Sequence, residues 1–539
     1  MNDPASPAAQ AVRRRLADWN EEHAASAYAQ GWWIAQTLVE RLARLAAESP
    51  DRVLIADGPT RLTARTLSTS ASALAGYLLE NARPGSIVSM MLPNWHEAAV
   101  VYFATTMAGM IINPILPSVR DRELAYILAD LDSAFLFAPQ HHRAFDYEEM
   151  FERIRGDLDE PPAFIAVRSD AGLVTDFGQL LRHAPPNELP AEDPDAVHMI
   201  MYTSGTTGRP KGVMHSQNTL HALIRQLRDP WSIDNGSRFF VPSPVSHIGG
   251  SIYAFEMPVH LGTTAVLMDT WDPIQAVATM DAERVTHMAG ATPFLRDLLA
   301  AAKEQSNRLP HLAMFVCGGA SVPPTLVDDA NEWFERARVS RIYGSTEVPI
   351  ITIGVHDHGD AYHAAHTDGR PGVAEIRLSD SGEICARGPQ MFAGYYGDAD
   401  TAGSRDEDGF YRSGDLGAWI KGEYLVVTGR IKDLIIRNGE NIAPKEIEDI
   451  LIGHPAVAEI AIVGLPDPRT GERSYAIVVD APGAAVELDD LCAFLQRQGV
   501  ARFKFPESLV HVPVLPRNDA GKVVKHLIRE HLLAAKQAN

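Results

Sequence analysis

The sequence predicts an α/β protein with a large N-terminal part of layered α/β subdomains, a small β-subdomain, and a small α+β C-terminal domain. Three observations carry this. Short apolar strands alternate with helices from residue 53 to beyond 340, the pattern of layered α/β folds. From about Gly372 the segments become short and alternating, with Gly-rich turns between them. After Gly429-Arg430 a compact mixed module begins, and 539 residues exceed what one core organises.

Taken in order, residues 11–48 read as helical, with Ile34, Leu38, Leu42 and Leu45 at helix spacing. Val53-Leu54-Ile55 is a strand closed by a turn at Gly58-Pro59. Leu67–Glu80 is a helix, Ser86–Leu92 a strand, Asn94–Gly109 a helix, and a strand runs on to Pro114. The apolar stretch Ala98–Pro117 is broken by Thr105, Thr106, Asn113 and Pro114, so it reads as a buried helix entering a strand and not as a membrane span. Ala196–Met201 is a buried strand ending at Tyr202, followed by a polar loop and the helix-like His215–Leu227. Met314–Cys317 and Arg341-Ile342-Tyr343 continue the α/β series, and Ala374–Leu378, Gly382–Arg387 and Tyr424–Thr428 make the β-subdomain. The last module reads as helix Pro444–Leu451, strands Val457–Val463 and Tyr475–Val479, helix Leu488–Gln496, a turn near Pro516–Gly521, and helix Lys525–Leu533. Pro444 suits a first helical position, where its missing N–H costs nothing.

Composition narrows the classes. A net charge of −21 opposes nucleic acid and anionic membrane surfaces as partners. Cys317, Cys385 and Cys492 are far apart and lack metal-ligand spacing, which fits buried thiols in a reducing compartment. The N-terminus has arginines but no apolar secretory core, so the expected location is the cytoplasm.

The most informative stretch is Tyr202-Thr203-Ser204-Gly205-Thr206-Thr207-Gly208-Arg209-Pro210-Lys211-Gly212. Hydroxyls and glycine-freed N–H groups cannot be buried unpaired, and with a lysine they make a cradle for phosphate. A flexible linker is the plainer reading, but linkers do not sit between an apolar strand and a helix. A Walker A loop fails because Lys211 is followed by Gly212 and not by Ser or Thr. The motif resembles the phosphate loop of the adenylate-forming superfamily, which includes acyl-CoA synthetases, amino-acid adenylation domains and luciferases.

Further motifs occur in that superfamily's order, and the resemblance assigns each a role. Thr203, Ser204, Gly205, Thr206, Thr207, Gly208 and Lys211 would hold the outgoing phosphates. In Tyr343-Gly344-Ser345-Thr346-Glu347, Tyr343 would pack on adenine, Thr346 would contact the α-phosphate and Glu347 would help hold Mg²⁺. Read alone, this loop is a strand-to-turn junction capped by Ser345 or Thr346. Gly318, Gly319 and Ala320 would run along adenine and the acyl group; alone they are a tight turn. Asp415, in Tyr411-Arg412-Ser413-Gly414-Asp415, would accept from both ribose hydroxyls, or is simply a hairpin residue. Arg430 would be a second ribose or phosphate contact, and Lys432 the hinge between residues 1–430 and a mobile domain 431–539. Gly439, Glu440 and Asn441 would line a pantetheine tunnel after that domain swings. His247 would stand at the acyl-pocket mouth, although a histidine beside two glycines can equally be a core residue. Lys522, at the end of Pro516-Arg517-Asn518-Asp519-Ala520-Gly521-Lys522, would be the catalytic lysine, where most turn lysines are merely solvated.

The resemblance covers nearly the whole chain and is closest to medium-chain and cyclohexanecarboxylate-type acyl-CoA ligases. One departure is Thr63-Ala64-Arg65-Thr66-Leu67, with Ala64 for the usual Tyr and Thr66 for the usual Glu. By the same resemblance, Ile248–Phe255 lacks the Asp that pairs with an α-amino group, and Gly249, Gly250, Ala291, Gly319 and Ala320 suggest an open pocket. The expected activity is ATP-dependent ligation of a medium-size or cyclic carboxylic acid to coenzyme A through an acyl-AMP, with ATP, Mg²⁺ and CoA, as part of fatty acid metabolism. The alternatives are an adenylating enzyme with a carrier-protein or luciferase-like acceptor chemistry, and a non-catalytic nucleotide binder.

Overall fold

Strand alternation decides how the N-terminal part is layered. The computed structural model describes residues 21–169, 177–203, 209–357, 359–397, 401, 403–517 and 522–538, with 536–538 described by backbone alone. One seven-stranded sheet has the order Arg338–Arg341, Met314–Cys317, His287–Gly290, Arg238–Val241, Thr264–Leu267, Val53–Asp57, Thr60–Thr63. It is parallel except at Thr60–Thr63. The other runs Gly394–Tyr395, Lys211–Ser216, Val197–Thr203, Ile111–Pro114, Ile87–Met90, Ser133–Pro139, Ala163–Val167. It is parallel beyond its first three strands.

Successive residues on each strand face different cores. Phe239 and Val241 join one apolar cluster and Phe240 another; Met199 and Met201 join the first, Ile200 a third. The first cluster lies between the sheets and contains the helices Ala64–Asn81 and His96–Met107. Each sheet therefore has both faces covered, which is why its strands are apolar runs with no polar face. Every residue from Ala98 to Met107 is buried. Thr105 and Thr106 belong there because their hydroxyls donate to the carbonyls of Val101 and Tyr102, at 2.8 and 2.9 Å. The departure at Thr66 also has a structural answer. Thr63 accepts from the Thr66 N–H and Thr66 Oγ1 from the Thr63 N–H, so threonine completes the capping box.

A four-stranded antiparallel sheet comes next, Glu375–Leu378, Glu383–Arg387, Tyr411–Ile420 and Tyr424–Arg430. After the short turn Ile431–Asp433 comes a last sheet built on the long ribbon Val457–Asp467 and Gly471–Asp480. Its two apolar clusters contain no residue before Ile435.

Three expectations need correction. The continuous helix over 11–48 is two helices, Glu21–Ala29 and Leu38–Glu48, interrupted at Gly31 with φ +70°; its residues 11–20 lie outside the described residues. The phosphate loop does not run from a strand into a helix at His215. It joins two antiparallel strands, Thr203 pairing with Lys211, and the helix starts only at Gln217. The Tyr411–Gly417 motif lies on the ten-residue strand Tyr411–Ile420 and not in a hairpin turn. Cys317 and Cys385 are buried, Cys492 is half-buried, and all three are free thiols. Among the described residues no helix is long and apolar enough to cross a membrane.

Candidate active site

The motif residues gather because parallel strands deliver chain ends to one edge. Cys317 leads into Gly318, Arg341 into Tyr343–Glu347, and Val241 into the turn carrying His247. The crevice at the carboxyl ends of parallel strands is where open α/β sheets bind ligands. Thr203 and Lys211 close the phosphate hairpin; Ser204, Gly205, Thr206, Thr207 and Gly208 lie outside the described residues.

Glu347 is buried, and its Oε1 accepts from the Tyr395 hydroxyl at 2.7 Å. Lys211 Nζ stands 5.1 Å from the centre of the same tyrosine ring. Tyr395 thus touches both the phosphate-hairpin lysine and the carboxylate. The Thr346 carbonyl accepts from His215 Nε2 at 2.8 Å. A carbonyl cannot donate, so Nε2 carries the proton and Nδ1 accepts from Thr219 Oγ1 at 3.0 Å. Complete burial brings the His215 pKa down to about 4, keeping the ring neutral. Ser345 does cap the turn, accepting from the Val348 N–H at 3.2 Å. Nearby Ile350 has φ +49°, a strained value for a β-branched residue. No sequence motif singled out Tyr395 or His215; only the two-residue offset from Lys211–Val213 in the strand could have suggested that His215 turns toward the site.

Tyr343 and Arg430 meet on Asp415. The Tyr343 hydroxyl donates to Oδ2 at 2.8 Å and Arg430 Nε to Oδ1 at 2.6 Å. The last pair is set by register, since Asp415 and Arg430 are directly opposite on adjacent strands. Each carboxylate oxygen has two acceptor sites, so one per oxygen remains for a ligand hydroxyl. Burial and the adjacent Asp415 carboxylate push the Tyr343 phenol well above its ordinary range, so it stays a donor. Lys522 lies within electrostatic reach of Arg430, Asp415 and Asp433; burial, then the Arg430 cation, bring its pKa down to about 8. His247 caps the short helix Ile248–Ser251, its Nδ1 accepting from the Gly249 N–H at 3.2 Å. His247 is exposed to solvent, and the protein groups around it, with the Lys522 charge, lower its pKa. Its neutral form then presents Nε2–H.

The glycines divide by role. A Cβ on Gly250 would lie 2.1 Å from the Pro244 carbonyl oxygen, one on Gly318 2.7 Å from the Ile342 carbonyl oxygen, and one on Gly344 2.4 Å from the Ile350 nitrogen. These three allow close backbone packing. Gly250 is therefore not free space in a pocket, which corrects the expectation drawn from its size. Gly319, at φ +80° with nothing within 4 Å of an added Cβ, does border open space, and Ala320 follows it in the same turn. Lys432 lies exposed on the turn after Arg430. Gly439, Glu440 and Asn441 are exposed at a hairpin tip, where Asn438 and Gly439 take φ +52° and +83°.

One group elsewhere, Asp57, His96 and Glu97, has metal-ligand proximity. The Arg168 guanidinium fills it, bonding Asp57 at 2.9 Å and both Glu97 oxygens at 2.8 and 2.9 Å. It is a partly exposed network in which Arg168 and the His96 ring bond the two carboxylates.

Comparison with known proteins adds independent ground. Residues 42–396 match the AMP-binding enzyme family, and residues 446–522 match the AMP-binding enzyme C-terminal domain. The chain is 32% identical to a medium-chain fatty-acid–CoA ligase of Escherichia coli (strain K12), over 96% of this chain and 94% of that one. It is 31% identical to a feruloyl-CoA synthase of Amycolatopsis sp, over 90% and 97%. The fold superposes on ATP-bound MatB from Rhodopseudomonas palustris with a TM-score of 0.82, at 26% identity, over 92% and 98%.

Proposed function

The chain belongs to the AMP-binding enzyme family, and on that premise we propose that it is an AMP-forming acid–thiol ligase. It activates a carboxylic acid with ATP as an acyl-AMP, releases pyrophosphate, and transfers the acyl group to coenzyme A. The observation that carries this reading is that Lys522 comes within electrostatic reach of His247, Arg430 and Asp415, although these residues are far apart in sequence.

In the first half-reaction the acid's carboxylate oxygen attacks the α-phosphorus, the bond to the bridging oxygen breaks, and pyrophosphate leaves. Little proton transfer is needed, so the work is positioning and charge neutralisation. Thr203 through Lys211 hold the departing phosphates and Thr346 the α-phosphate. Asp415 takes the ribose hydroxyls while Tyr343 forms the base wall. Lys522 supplies a point cation where charge develops, and the Nε2–H of His247 orients the acid. Glu347 fits Mg²⁺: this cation prefers one or two carboxylates with phosphate oxygens and water, and Tyr395 fixes the one carboxylate offered. The ion, when bound, neutralises phosphate charge.

For the second half-reaction, residues 431–539 turn about Lys432. Lys522 withdraws, and Gly439, Glu440 and Asn441 reach the thiol path. Coenzyme A sulfur then attacks the acyl carbon and AMP leaves. The acid is of medium size or cyclic; similarity to relatives named for a medium-chain fatty acid and for a feruloyl group supports this. Pyrophosphate release should be measured with straight-chain, cyclic, aromatic and amino acids, with and without CoA. The expected result is acid-dependent release that turns over only with CoA. Turnover independent of CoA means another acceptor, and no release with any acid means a nucleotide binder without catalysis.

A further inference from the structure

The Glu459 carboxylate ties the two halves of the chain together and also holds Arg517, five residues before Lys522. Glu459 lies on the ribbon strand Val457–Asp467, just after a bulge where Val457 and Glu459 face consecutive residues, Asp480 and Val479, of the partner strand. The bulge leaves Ala458 extra and re-aims the side chains beyond it. Glu459 Oε1 accepts from Arg296 Nη1 at 2.9 Å, and Oε2 from Arg517 Nη2 at 2.9 Å. Arg296 is on the helix Thr292–Glu304 of the large α/β part, where Asp297 also steadies it at 3.0 Å. Arg517 pairs with Val523 in an antiparallel bridge, and the Val524 N–H donates to the Pro516 carbonyl at 2.8 Å. Those bonds close the base of the loop that ends at Lys522. Residues 518–521 of that loop lie outside the described residues.

We infer that Glu459 is a positioning residue: through Arg296 and Arg517 it fixes Lys522 in the adenylation site and latches the C-terminal module in that orientation. This deepens the ligase reading and rests on it. The geometry is specific, because each oxygen serves a different partner and the two partners belong to the two bodies that must separate. A second contact runs parallel: Ser321 Oγ donates to Asp449 and accepts from Lys445 Nζ at 3.2 Å. These polar contacts are few and partly exposed. The Arg296 side chain is 48% accessible and Glu459 19%, so the pair is weak enough to break on every turnover. A greasy interface would not open so easily.

The latch makes a prediction for one half-reaction only. Arg296→Ala removes this link between the bodies and leaves both Glu459–Arg517 and the Ser321 contacts intact. Acid-dependent exchange of labelled pyrophosphate into ATP should fall roughly two- to fivefold. Thioester formation from supplied acyl-AMP and CoA should stay within about twofold, or rise. Raised salt should depress exchange by the wild type more than by Arg296→Ala, since screening removes what the variant already lacks. Glu459→Gln should lower exchange further, because it weakens both contacts, and far-UV circular dichroism melting checks that each variant is folded. If Arg296→Ala exchanges pyrophosphate like the wild type, or loses both half-reactions equally, the latch is wrong. A wild type that exchanges with no acid overturns the ligase reading itself, a different result from either.

Discussion

The Asp415–Glu347 side of the site and the Lys522 side are built to opposite rules. Asp415 is held by Tyr343 and Arg430, Glu347 by Tyr395, and the Thr346 carbonyl by His215. These bonds join groups at strand ends with fixed register, and Asp415, Tyr343, Glu347, Tyr395 and His215 are buried, while Arg430 reaches in from a half-exposed position. Lys522 comes from a module joined to the rest through a short turn and a handful of partly exposed polar contacts. Low dielectric strengthens the first set, and solvent weakens the second. The lesson is that one site can be half pre-organised and half deliverable. On the proposed mechanism, the groups that stay in place through both half-reactions are the buried ones, and the module that would turn away is held by water-accessible charge.

The comparison can be broken first at its most mobile member. Lys522→Ala should cut acyl-AMP formation by about 100- to 1,000-fold, the scale for removing a charge-stabilising group. Thioester formation from supplied acyl-AMP should remain near wild type. Equal loss in both steps would place Lys522 in the fixed half and erase the distinction.

The pH profile is the next test. Lys522 must be protonated to neutralise charge, and its pKa is lowered to about 8. The ammonium is therefore present below that pH and lost as pH rises through it. The kcat/KM for adenylation, which reports groups of the free enzyme, should decline above pH about 8 by roughly tenfold per unit. The acyl-AMP-to-thioester step should show no such limb. A flat adenylation profile to pH 9.5 or so would mean that the Lys522 proton is not needed.

The smallest effect should appear in the fixed half. Tyr395→Phe removes only the hydroxyl on Glu347, so the Mg²⁺ concentration for half-maximal adenylation should rise roughly threefold to tenfold, with saturated rate nearly unchanged. If instead the saturated rate falls and the Mg²⁺ requirement does not move, Tyr395 supports the phosphate hairpin through Lys211 and not the carboxylate.

Much of this was written in linear order, and some was not. Strand Met314–Cys317 and helix Pro444–Leu451 have the bounds their residues suggest, because apolar runs and a proline at the first turn are local signals. The long helix expected over 11–48 was interrupted because periodicity alone does not register a break such as the left-handed turn at Gly31. Strand Lys211–Ser216 was missed because it is short and its pairing with Val197–Thr203 is set by tertiary register, so His215 and Ser216 read as the start of the following helix. Gly250 looked like room for substrate, yet its missing Cβ is taken up by the Pro244 carbonyl.

By itself the sequence determined the α/β class, the change of character near Gly372 and Gly429, and the resemblance that singles out Lys522, Glu347 and Asp415. These rest on patterns and motifs that neighbouring residues carry. Tertiary structure alone decided that Tyr395 serves both Lys211 and Glu347, that His215 holds Thr346, and that Glu459 stands between Arg296 and Arg517. Hydrogen bonds and ion pairs act over a few ångströms of space whatever the distance along the chain. Glu459 and Arg296 are 163 residues apart, and only folding brings them to 2.9 Å.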